Sequence, residues 1–302
     1  MSNKVTLSVV LATLNEEHNI GACLNSVKHI ADEIVVVDEG SSDRTREIAK
    51  SFGTTVYEVR HEPIFHVTKQ KAIDKAKGDW ILQLDADERV TDELAKEIVE
   101  VINSSNEELL KRVLLLPATG YRIPDTDKLS LFRRHQRLIE QREGSLGKKT
   151  GQVVAFFIPR VNYFLRKPLI HAGVYPDGVI RLFKKGKARL PGKSVHELME
   201  VDGEIGWLFN NLEHHESPTL RRYLDRMNRY TDLQAKELKE KNTPRNYWYL
   251  IKYSFLLPIS YFLLLYLRHK GFLDGMRGFL WVFFSASHYP IAYFKYYQSF
   301  RG

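Results

Sequence analysis

The first half of the chain alternates short apolar runs with stretches in which apolar residues recur at helical spacing. This alternation predicts helices that connect the strands of a mostly parallel sheet, and therefore an α/β fold. The predicted strands are Leu7–Thr13, Glu33–Asp38, 54–59 and Trp80–Leu84. The predicted helices are 19–30, 43–52, 67–77 and one that begins near Thr91.

The pattern changes in the second half. Residues 103–149 form a charged, poorly periodic stretch, which is either a mobile insertion over a site or only a solvated face. Strand-like runs return at 153–159 and 179–183, and residues 220–241 predict one long amphipathic helix. Its residues at helical spacing, which we interpret as packing residues, are Tyr223, Met227 and Tyr230.

The last part of the chain is rich in aromatic residues, since residues 247–300 hold 19 of the 35. Its two uncharged apolar stretches, 253–267 and 279–294, are interrupted by Pro258 and Pro290. Each is shorter than the about 20 apolar residues that cross a bilayer. We therefore predict a segment that lies in or re-enters the membrane surface; the alternative is a helical cap on the soluble domain or a dimer partner.

The formal net charge is +8 in 302 residues, and the basic residues gather at 111–149, 160–193 and 221–270. An anionic lipid surface or an anionic substrate is favoured over nucleic acid, because no nucleic-acid-binding motif accompanies these clusters. The single cysteine, Cys23, predicts a buried thiol in a reducing compartment. The first residues do not resemble a signal peptide, so the N-terminal domain is expected in the cytoplasm.

Polar clusters follow three of the predicted strands. They are Thr13 to Glu16, Asp38 to Asp43, and Asp85 to Asp87. Ligands of open α/β sheets collect at the carboxyl ends of the strands, so the three clusters predict a nucleoside diphosphate site. Asp85 and Asp87 share one face of an extended segment, and such a carboxylate pair suits a divalent cation such as Mg²⁺. The plainer interpretation of this pair is a solvated loop before the next helix.

Several segments resemble the family 2 glycosyltransferases of the GT-A fold. They are VVLATLNEEHNI, EIVVVDEGSSDRT, KQKAIDKAKGDWILQLDADERV and YPDGVIRLFKKGKA with SVHE. The phrases LDADERV, PDGVIRLF, VHE and GFLDG are most similar to β-glycosyltransferases of the lipopolysaccharide-core type. The resemblance covers nearly the whole chain and is looser at 103–149. It implies a GT-A domain at 1–215, including that insertion, and a helical, aromatic-rich, membrane-associating region at 216–302.

The resemblance implies an inverting, metal-dependent transfer of a sugar from a nucleoside diphosphate, preferably UDP, to an acceptor hydroxyl. Asp87 would bind Mg²⁺ or Mn²⁺, and Asp85 would hold the ribose or a water on the metal. Asp38 would accept a hydrogen bond from the pyrimidine ring. The residues assigned to the nucleotide sugar are Thr13, Asn15, Glu16, Asp38, Gly40, Ser41, Lys71, Asp85 and Arg181.

An inverting transfer to a hydroxyl also needs a general base. The two possible bases are Glu197, in the V-H-E segment, and Asp177; we favour Glu197. The neighbouring His196 would complete the metal shell or contact phosphate. One residue departs from the family pattern, because Glu39 stands where the D-x-G-S motif commonly has a small residue. A carboxylate there would repel a phosphate unless it points away.

The acceptor is expected to be a lipid-linked saccharide, such as a lipopolysaccharide inner core, met at the cytoplasmic face of the cell membrane. The alternative acceptor is a polyprenyl phosphate, whose oxygen needs no strong base. A membrane-attached sugar-nucleotide binder without activity is a third possibility. Two other enzyme classes fit less well. A haloacid dehalogenase places its D-x-D at the first strand, and the first strand here lacks the G-x-G-x-x-G of dinucleotide enzymes.

Overall fold

The structure is a computed structural model that describes residues 4–114, 126–144, 146–192 and 198–299. The chain forms two compact units. The first contains Met1–Arg160 and Pro176–His214, and the second contains Val161–Tyr175 and His215–Gly302. The sequence placed Val161–Tyr175 in the first domain, whereas contacts within the structure group this segment with the C-terminal helices.

Strands and helices alternate over the first half of the chain, and the elements of all described residues are as follows. The strands are β1 (Leu7–Thr13), β2 (Glu33–Asp38), β3 (Thr55–Glu58), β4 (Trp80–Leu84), β5 (Glu88–Val90), β6 (Val153–Phe164), β7 (Lys167–Pro168), β8 (Asp177–Lys184), β9 (Ala188–Arg189), β10 (Glu200–Val201), β11 (Glu204–Trp207) and β12 (Leu212–Ser217). The helices are α1 (Ile20–Val27), α2 (Thr45–Ser51), α3 (Phe65–Lys75), α4 (Asp92–Asn103), α5 (Asn106–Leu114), α6 (Thr126–Glu143), α7 (Leu220–Glu240), α8 (Tyr247–Ile251), α9 (Leu257–Leu263) and α10 (Gly275–Gln298).

In the first unit, β3, β2, β1 and β4 lie side by side and are parallel. All seven residues of β1 are buried, as expected for a strand covered by helices on both faces. The predicted bounds of β1, β2 and β4 are confirmed, and so is the predicted α/β class. Because the four strands are parallel, the polar clusters that follow β1, β2 and β4 share one edge of the sheet.

The sheet continues beyond β4 with β8 and β6, which contain the strand-like runs predicted at 179–183 and 153–159, and with β12 and β5, which the sequence did not predict. The order is β4, β8, β6, β12, β5, and β8 is antiparallel to both β4 and β6. Strand β5 comes directly after the D-x-D segment and pairs with β12, where His214 lies opposite Glu88. This arrangement brings residues of β8 and β12 to the end of β4.

The charged stretch at 103–149 contains two helices, α5 and α6. Phe132 of α6 is completely buried and stacks on Trp207, with ring centroids 4.7 Å apart. Trp207 stacks in turn on Phe157 of β6. The stretch is therefore not only a solvated face, because one side of α6 packs on the sheet.

In the second unit, α7 matches the predicted helix and ends one residue earlier. Tyr223 is buried against Phe164 and Trp281, which confirms it as a packing residue. Met227 is partly buried in the same cluster. The interpretation of Tyr230 as a packing residue is wrong, since this side chain is 44% exposed.

The region Tyr247–Arg268 is helical throughout and runs from α8 through α9, with two π-helical segments, Lys252–Leu256 and Leu264–Arg268. Pro258 and Pro290 do not break the helices that contain them, contrary to expectation. Pro258 follows the first π segment, whose i→i+5 pattern accommodates the missing N–H. The 22 residues are long and apolar enough to cross a membrane, and only 6% of the most apolar window is buried.

A short turn joins this helix to α10. Residues Gly271–Asp274 form a 3₁₀ turn, and Asp274 accepts hydrogen bonds from the backbone N–H groups of Ile170 and His171. A Cβ atom at Gly278 would lie only 1.9 Å from the carbonyl oxygen of Gly271, so the close approach of the turn and α10 requires glycine there.

Candidate active site

The loop that follows β2 is built around the side chain of Asp38. This carboxylate is completely buried, and its Oδ2 accepts hydrogen bonds from Thr13 Oγ1 (2.8 Å) and Ser41 Oγ (2.6 Å). Its Oδ1 accepts from the backbone N–H groups of Gly40 (3.1 Å) and Ser41 (2.8 Å). Gly40 has a φ of 83°, which favours glycine. Predicted site residues from two strand ends thus close around one carboxylate.

Asn15 ties the loop after β1 to the same structure. Its backbone N–H donates to Ser41 Oγ (2.8 Å), and its side-chain oxygen accepts from the backbone N–H of Ser42 (2.8 Å). Asn15 has a φ of 55°, a left-handed conformation that asparagine tolerates better than most residues. Glu16 accepts a hydrogen bond from the side chain of Asn19 (2.7 Å).

Glu39, the departure from the family pattern, has partners of its own. Its side chain is buried; one oxygen lies 2.6 Å from His61 Nδ1, and the other accepts a hydrogen bond from the Thr68 hydroxyl of α3. Both carboxylate oxygens are therefore occupied by protein groups. These contacts hold the Glu39 charge on the α3 side of the loop.

Asp85, at the end of β4, lies between two buried cations. Its Oδ1 is 2.5 Å from Lys69 Nζ, and its Oδ2 is 2.5 Å from Arg181 Nη2. Burial would raise the pKa of Asp85, but the charges of Arg181 and Lys69 hold the pKa well below its ordinary value. Burial also lowers the pKa of Lys69, although Asp85 partly offsets that effect. Asp85 is therefore an ionised carboxylate whose charge is already balanced.

The ionic cluster extends to Glu88 and Asp177. Glu88 is completely buried, and its Oε1 accepts hydrogen bonds from Arg181 Nη2 (2.7 Å) and Arg160 Nη1 (3.1 Å). Arg160 also donates twice to Asp177 Oδ2, at 3.0 Å from Nε and 2.6 Å from Nη2. The two guanidinium groups therefore join residues of β4, β5, β6 and β8 into one network.

Asp87, the second acid of the D-x-D, faces a different partner. Its Oδ2 lies 3.6 Å from His214 Nε2, and both side chains are mostly buried. Burial would raise the pKa of Asp87, but the hydrogen bond and charge of His214 hold the pKa below its ordinary value. A carboxylate oxygen and an imidazole nitrogen that converge at this distance suit a shared divalent metal ion.

The pair is incomplete as a metal site by itself. Within the described residues, no three histidine, cysteine, aspartate or glutamate side chains converge as a metal site. Asp87 and His214 could therefore hold a metal only if further ligands, such as a diphosphate and water, completed its shell, as is common for Mg²⁺ in phosphate sites.

Lys71, which the sequence assigned to the diphosphate, lies away from this cluster. Its Nζ is 2.5 Å from Glu62, and its side chain is 38% exposed. The lysine beside Asp85 is Lys69 instead. Helical spacing was the available signal, since Lys69 shares the buried face of α3 with Ala72 and Ile73.

Sequence reasoning also left Glu88, Arg160 and His214 without a role. In the sequence, Glu88 looks like one more acidic residue of a loop after Asp85 and Asp87. Arg160 and His214 are distant from that loop in the sequence, so no local pattern links them to it. Of the predicted residues, Asp177 and Arg181 lie in the cluster with Asp85. Glu197 and His196 lie outside the described residues, so their roles stay predictions. The buried position predicted for Cys23 is confirmed.

Comparisons with known proteins bear on this site. The family model of Glycosyl transferase family 2 matches residues 8–168, just over half of the chain. The chain is 28% identical over 299 residues to the lipopolysaccharide core biosynthesis glycosyltransferase LpsC of Rhizobium meliloti (strain 1021), which covers 95% of this chain and 93% of that protein. It is 39% identical over 87 residues to the low-salt glycan biosynthesis hexosyltransferase Agl6 of Haloferax volcanii, covering 27% of this chain and 21% of that protein.

One similar solved structure is glucosyl-3-phosphoglycerate synthase from Mycobacterium tuberculosis in complex with Mn²⁺ and UDP-glucose. It is 16% identical, with a TM-score of 0.41, and the match covers 80% of this chain and 81% of that one. The family match and the mostly parallel sheet flanked by helices confirm the predicted GT-A fold class and the predicted resemblance. The chain therefore belongs to glycosyl transferase family 2 and is a glycosyltransferase.

Proposed function

We propose that this enzyme transfers a sugar from a UDP sugar to a hydroxyl of a lipid-linked saccharide, with a divalent metal ion, at the surface of the cell membrane. The observation that carries the proposal is the convergence of Asp87 and His214 beside the buried ionic cluster at the end of β4. A sugar-nucleotide site needs a metal-binding carboxylate at a strand end and polar groups that are held in place before the ligand arrives, and this cluster supports both requirements.

The chemical difficulty of the reaction is the departure of a diphosphate. Asp87 and His214 would hold Mg²⁺ or Mn²⁺, which supplies positive charge to the departing oxygens when it is bound. Lys69 and Arg181 hold Asp85 as a fixed anion, so Asp85 is positioned to accept hydrogen bonds from the ribose or from water. Positioning before the reaction avoids reorganisation during it.

Asp38 and its loop would hold the nucleoside. Both oxygens of Asp38 already accept two hydrogen bonds each from Thr13, Gly40 and Ser41, so the carboxylate first of all shapes the loop. The proposed contact with the pyrimidine ring requires that one of these bonds be exchanged. Asn15 fixes the same loop from the β1 side.

The general base of our proposal is Glu197. The other possible base, Asp177, accepts two charge-assisted hydrogen bonds from Arg160, and such an oxygen is poorly placed to take a proton from an acceptor hydroxyl. The proposed roles therefore separate: Asp177 fixes Arg160, and Glu197 removes the proton.

The acceptor is proposed from two observations. The relative LpsC is named as a lipopolysaccharide core enzyme, and Tyr247–Arg268 presents an exposed apolar helix in the second unit. Side chains that are about half exposed or more along this helix include Phe255, Ile259, Leu263 and Leu267. A surface of this kind fits burial in a bilayer, where a lipid-linked acceptor is also found. The enzyme would then work in the cytoplasm, on the inner face of the cell membrane.

A transfer assay tests the proposal. The full chain is incubated with radiolabelled UDP or GDP sugars and either lipopolysaccharide or polyprenyl phosphate, and the label carried by each acceptor is counted. We expect label from a UDP sugar in the lipopolysaccharide, because its saccharide offers hydroxyl groups. Label only from a GDP sugar, or label only in polyprenyl phosphate, would contradict the proposal.

A further inference from the structure

A cavity lies wholly within the C-terminal unit, among α7, the helix Tyr247–Arg268 and α10. Its volume is about 350 Å³, which is at the lower end of the range for small-molecule sites, about 300–1,000 Å³. The proposed transfer reaction does not use any of its lining residues.

The lining mixes polar and apolar groups and carries no net charge. Tyr253, Tyr261 and Tyr289 present hydroxyl groups, and His288 adds an imidazole. The charged groups in the lining are Glu237 and Lys241, which are mostly exposed and lie 3.6 Å apart, so their charges compensate each other. A phosphate would find no excess positive charge here, whereas an uncharged ligand rich in hydroxyl groups would find donors and acceptors.

The three tyrosine hydroxyls have no hydrogen-bond partner among the residues that the structure describes. Their rings are nevertheless held in place: Tyr253 stacks on Tyr293 at 4.9 Å, and Tyr261 meets Tyr289 edge to face at 5.5 Å. Polar groups that are fixed in a cavity but unpaired favour binding, because little side-chain freedom is lost when a ligand arrives. Aromatic rings also suit the apolar faces of sugar rings.

The cavity shares a helix with the apolar surface proposed to enter the membrane. Tyr253 and Tyr261 line the cavity, whereas Ile259 and Leu263 of the same helix are exposed. A ligand with a sugar head and a hydrocarbon tail matches both surfaces at once. We infer that this cavity binds the uncharged saccharide head of a membrane glycolipid, an inference that rests on the proposed membrane location but not on the transfer reaction.

A binding experiment with a simple glycolipid analogue tests the inference. The full chain is kept in a polyoxyethylene detergent, and binding of radiolabelled dodecyl maltoside or of free maltose is measured by equilibrium dialysis. The variant Tyr261→Phe with Tyr289→Phe removes two hydroxyls of the cavity. Tyr266→Phe is the matched control, because Tyr266 lies on the same helix and does not line the cavity.

We expect saturable binding of dodecyl maltoside that weakens about tenfold or more in the double variant and is unchanged in Tyr266→Phe. Binding that does not saturate, or that is equal in all three proteins, would overturn the inference. Maltose that binds as tightly as the maltoside would overturn the assignment to a lipid. UDP binding measured on the same samples separates the two proposals, since its absence refutes the transferase site and leaves the maltoside result standing.

Discussion

In the first unit a charged residue, Glu88, is completely buried, whereas in the second unit an aromatic residue, Tyr247, is 86% exposed. Burial of a charge costs free energy unless the charge is paired, and large exposed apolar surfaces are unusual on soluble proteins. Charged side chains are usually exposed and large apolar ones usually buried, so the first unit departs from this rule at a charged residue and the second at an aromatic one.

The buried charge of Glu88 and the exposed apolar side chains of the second unit have different physical explanations. In the first unit, ion pairs with Arg160 and Arg181 offset the free-energy cost of burying the Glu88 carboxylate. Arg181 also pairs with Asp85 and so fixes that residue close to Asp87. In the second unit the described residues leave Phe255 and Ile259 59% and 56% exposed. This difference supports two separate proposals: that the first unit holds a charged ligand, and that the second unit meets an apolar phase.

The largest expected effect concerns Glu197, the proposed general base. Glu197→Gln keeps the shape of the side chain but removes its ability to accept a proton, so transfer to a hydroxyl should fall by roughly 10²–10⁴-fold. The measurement is the rate of sugar transfer at saturating donor, with UDP binding as the control for an intact site. Near-normal turnover would favour a phosphate acceptor and refute the role of Glu197.

The next effect concerns stability. Glu88→Ala leaves Arg181 and Arg160 without a buried partner, so the free energy of unfolding should fall by about 3–5 kcal/mol. Glu93→Ala, an exposed acid in the first turn of α4, should change it by less than about 1 kcal/mol. Denaturant unfolding of both variants measures the difference. Equal losses would show that the buried network does not stabilise the unit.

A pair of lysine variants separates the sequence prediction from the structure. Lys69→Met removes a cation from Asp85 and should weaken UDP binding by about tenfold to a hundredfold. Lys71→Met removes only a partly exposed pair with Glu62 and should weaken UDP binding by less than about fivefold. Calorimetric titration of UDP into both variants measures the two affinities. A larger loss of affinity in Lys71→Met than in Lys69→Met would support Lys71 as the lysine beside the diphosphate.

The smallest effect concerns the apolar surface. Ile259→Ser removes one exposed apolar side chain of the helix Tyr247–Arg268 and should weaken binding to vesicles of anionic phospholipid by about tenfold. Leu233→Ser, an equally simple change at an exposed leucine of α7, should leave vesicle binding unchanged. Vesicle flotation compares the two variants. If Leu233→Ser releases the protein as readily, this helix is not the membrane surface.

The parallel half of the sheet was predictable because its pattern is local. Strands β1, β2 and β4 are mainly apolar runs that end at polar clusters, and their bounds agree with the prediction. The antiparallel half was not predictable in this way. Pairing of β5 with β12 joins residues more than a hundred positions apart, and no local spacing encodes that pairing.

The site shows the same division. Asp38, Asp85 and Asp87 were identified from the sequence because each lies at or just after the end of a predicted strand. His214 comes close to Asp87 only through the pairing of β12 with β5, which the sequence did not predict. Lys71 was assigned through the resemblance to the family, and the buried face of its helix was not considered. The burial pattern of α3 carried the information needed to choose Lys69.

The most direct test of the central claim is calorimetric titration of UDP into the full chain, with and without Mn²⁺. It should be made on the unchanged protein, on Asp87→Ala and on Asp92→Ala, an exposed acid of α4 that serves as the control. We expect UDP binding that requires Mn²⁺, is lost in Asp87→Ala and is retained in Asp92→Ala. UDP binding that is absent from the unchanged protein, or that persists without metal and in Asp87→Ala, would contradict the central claim.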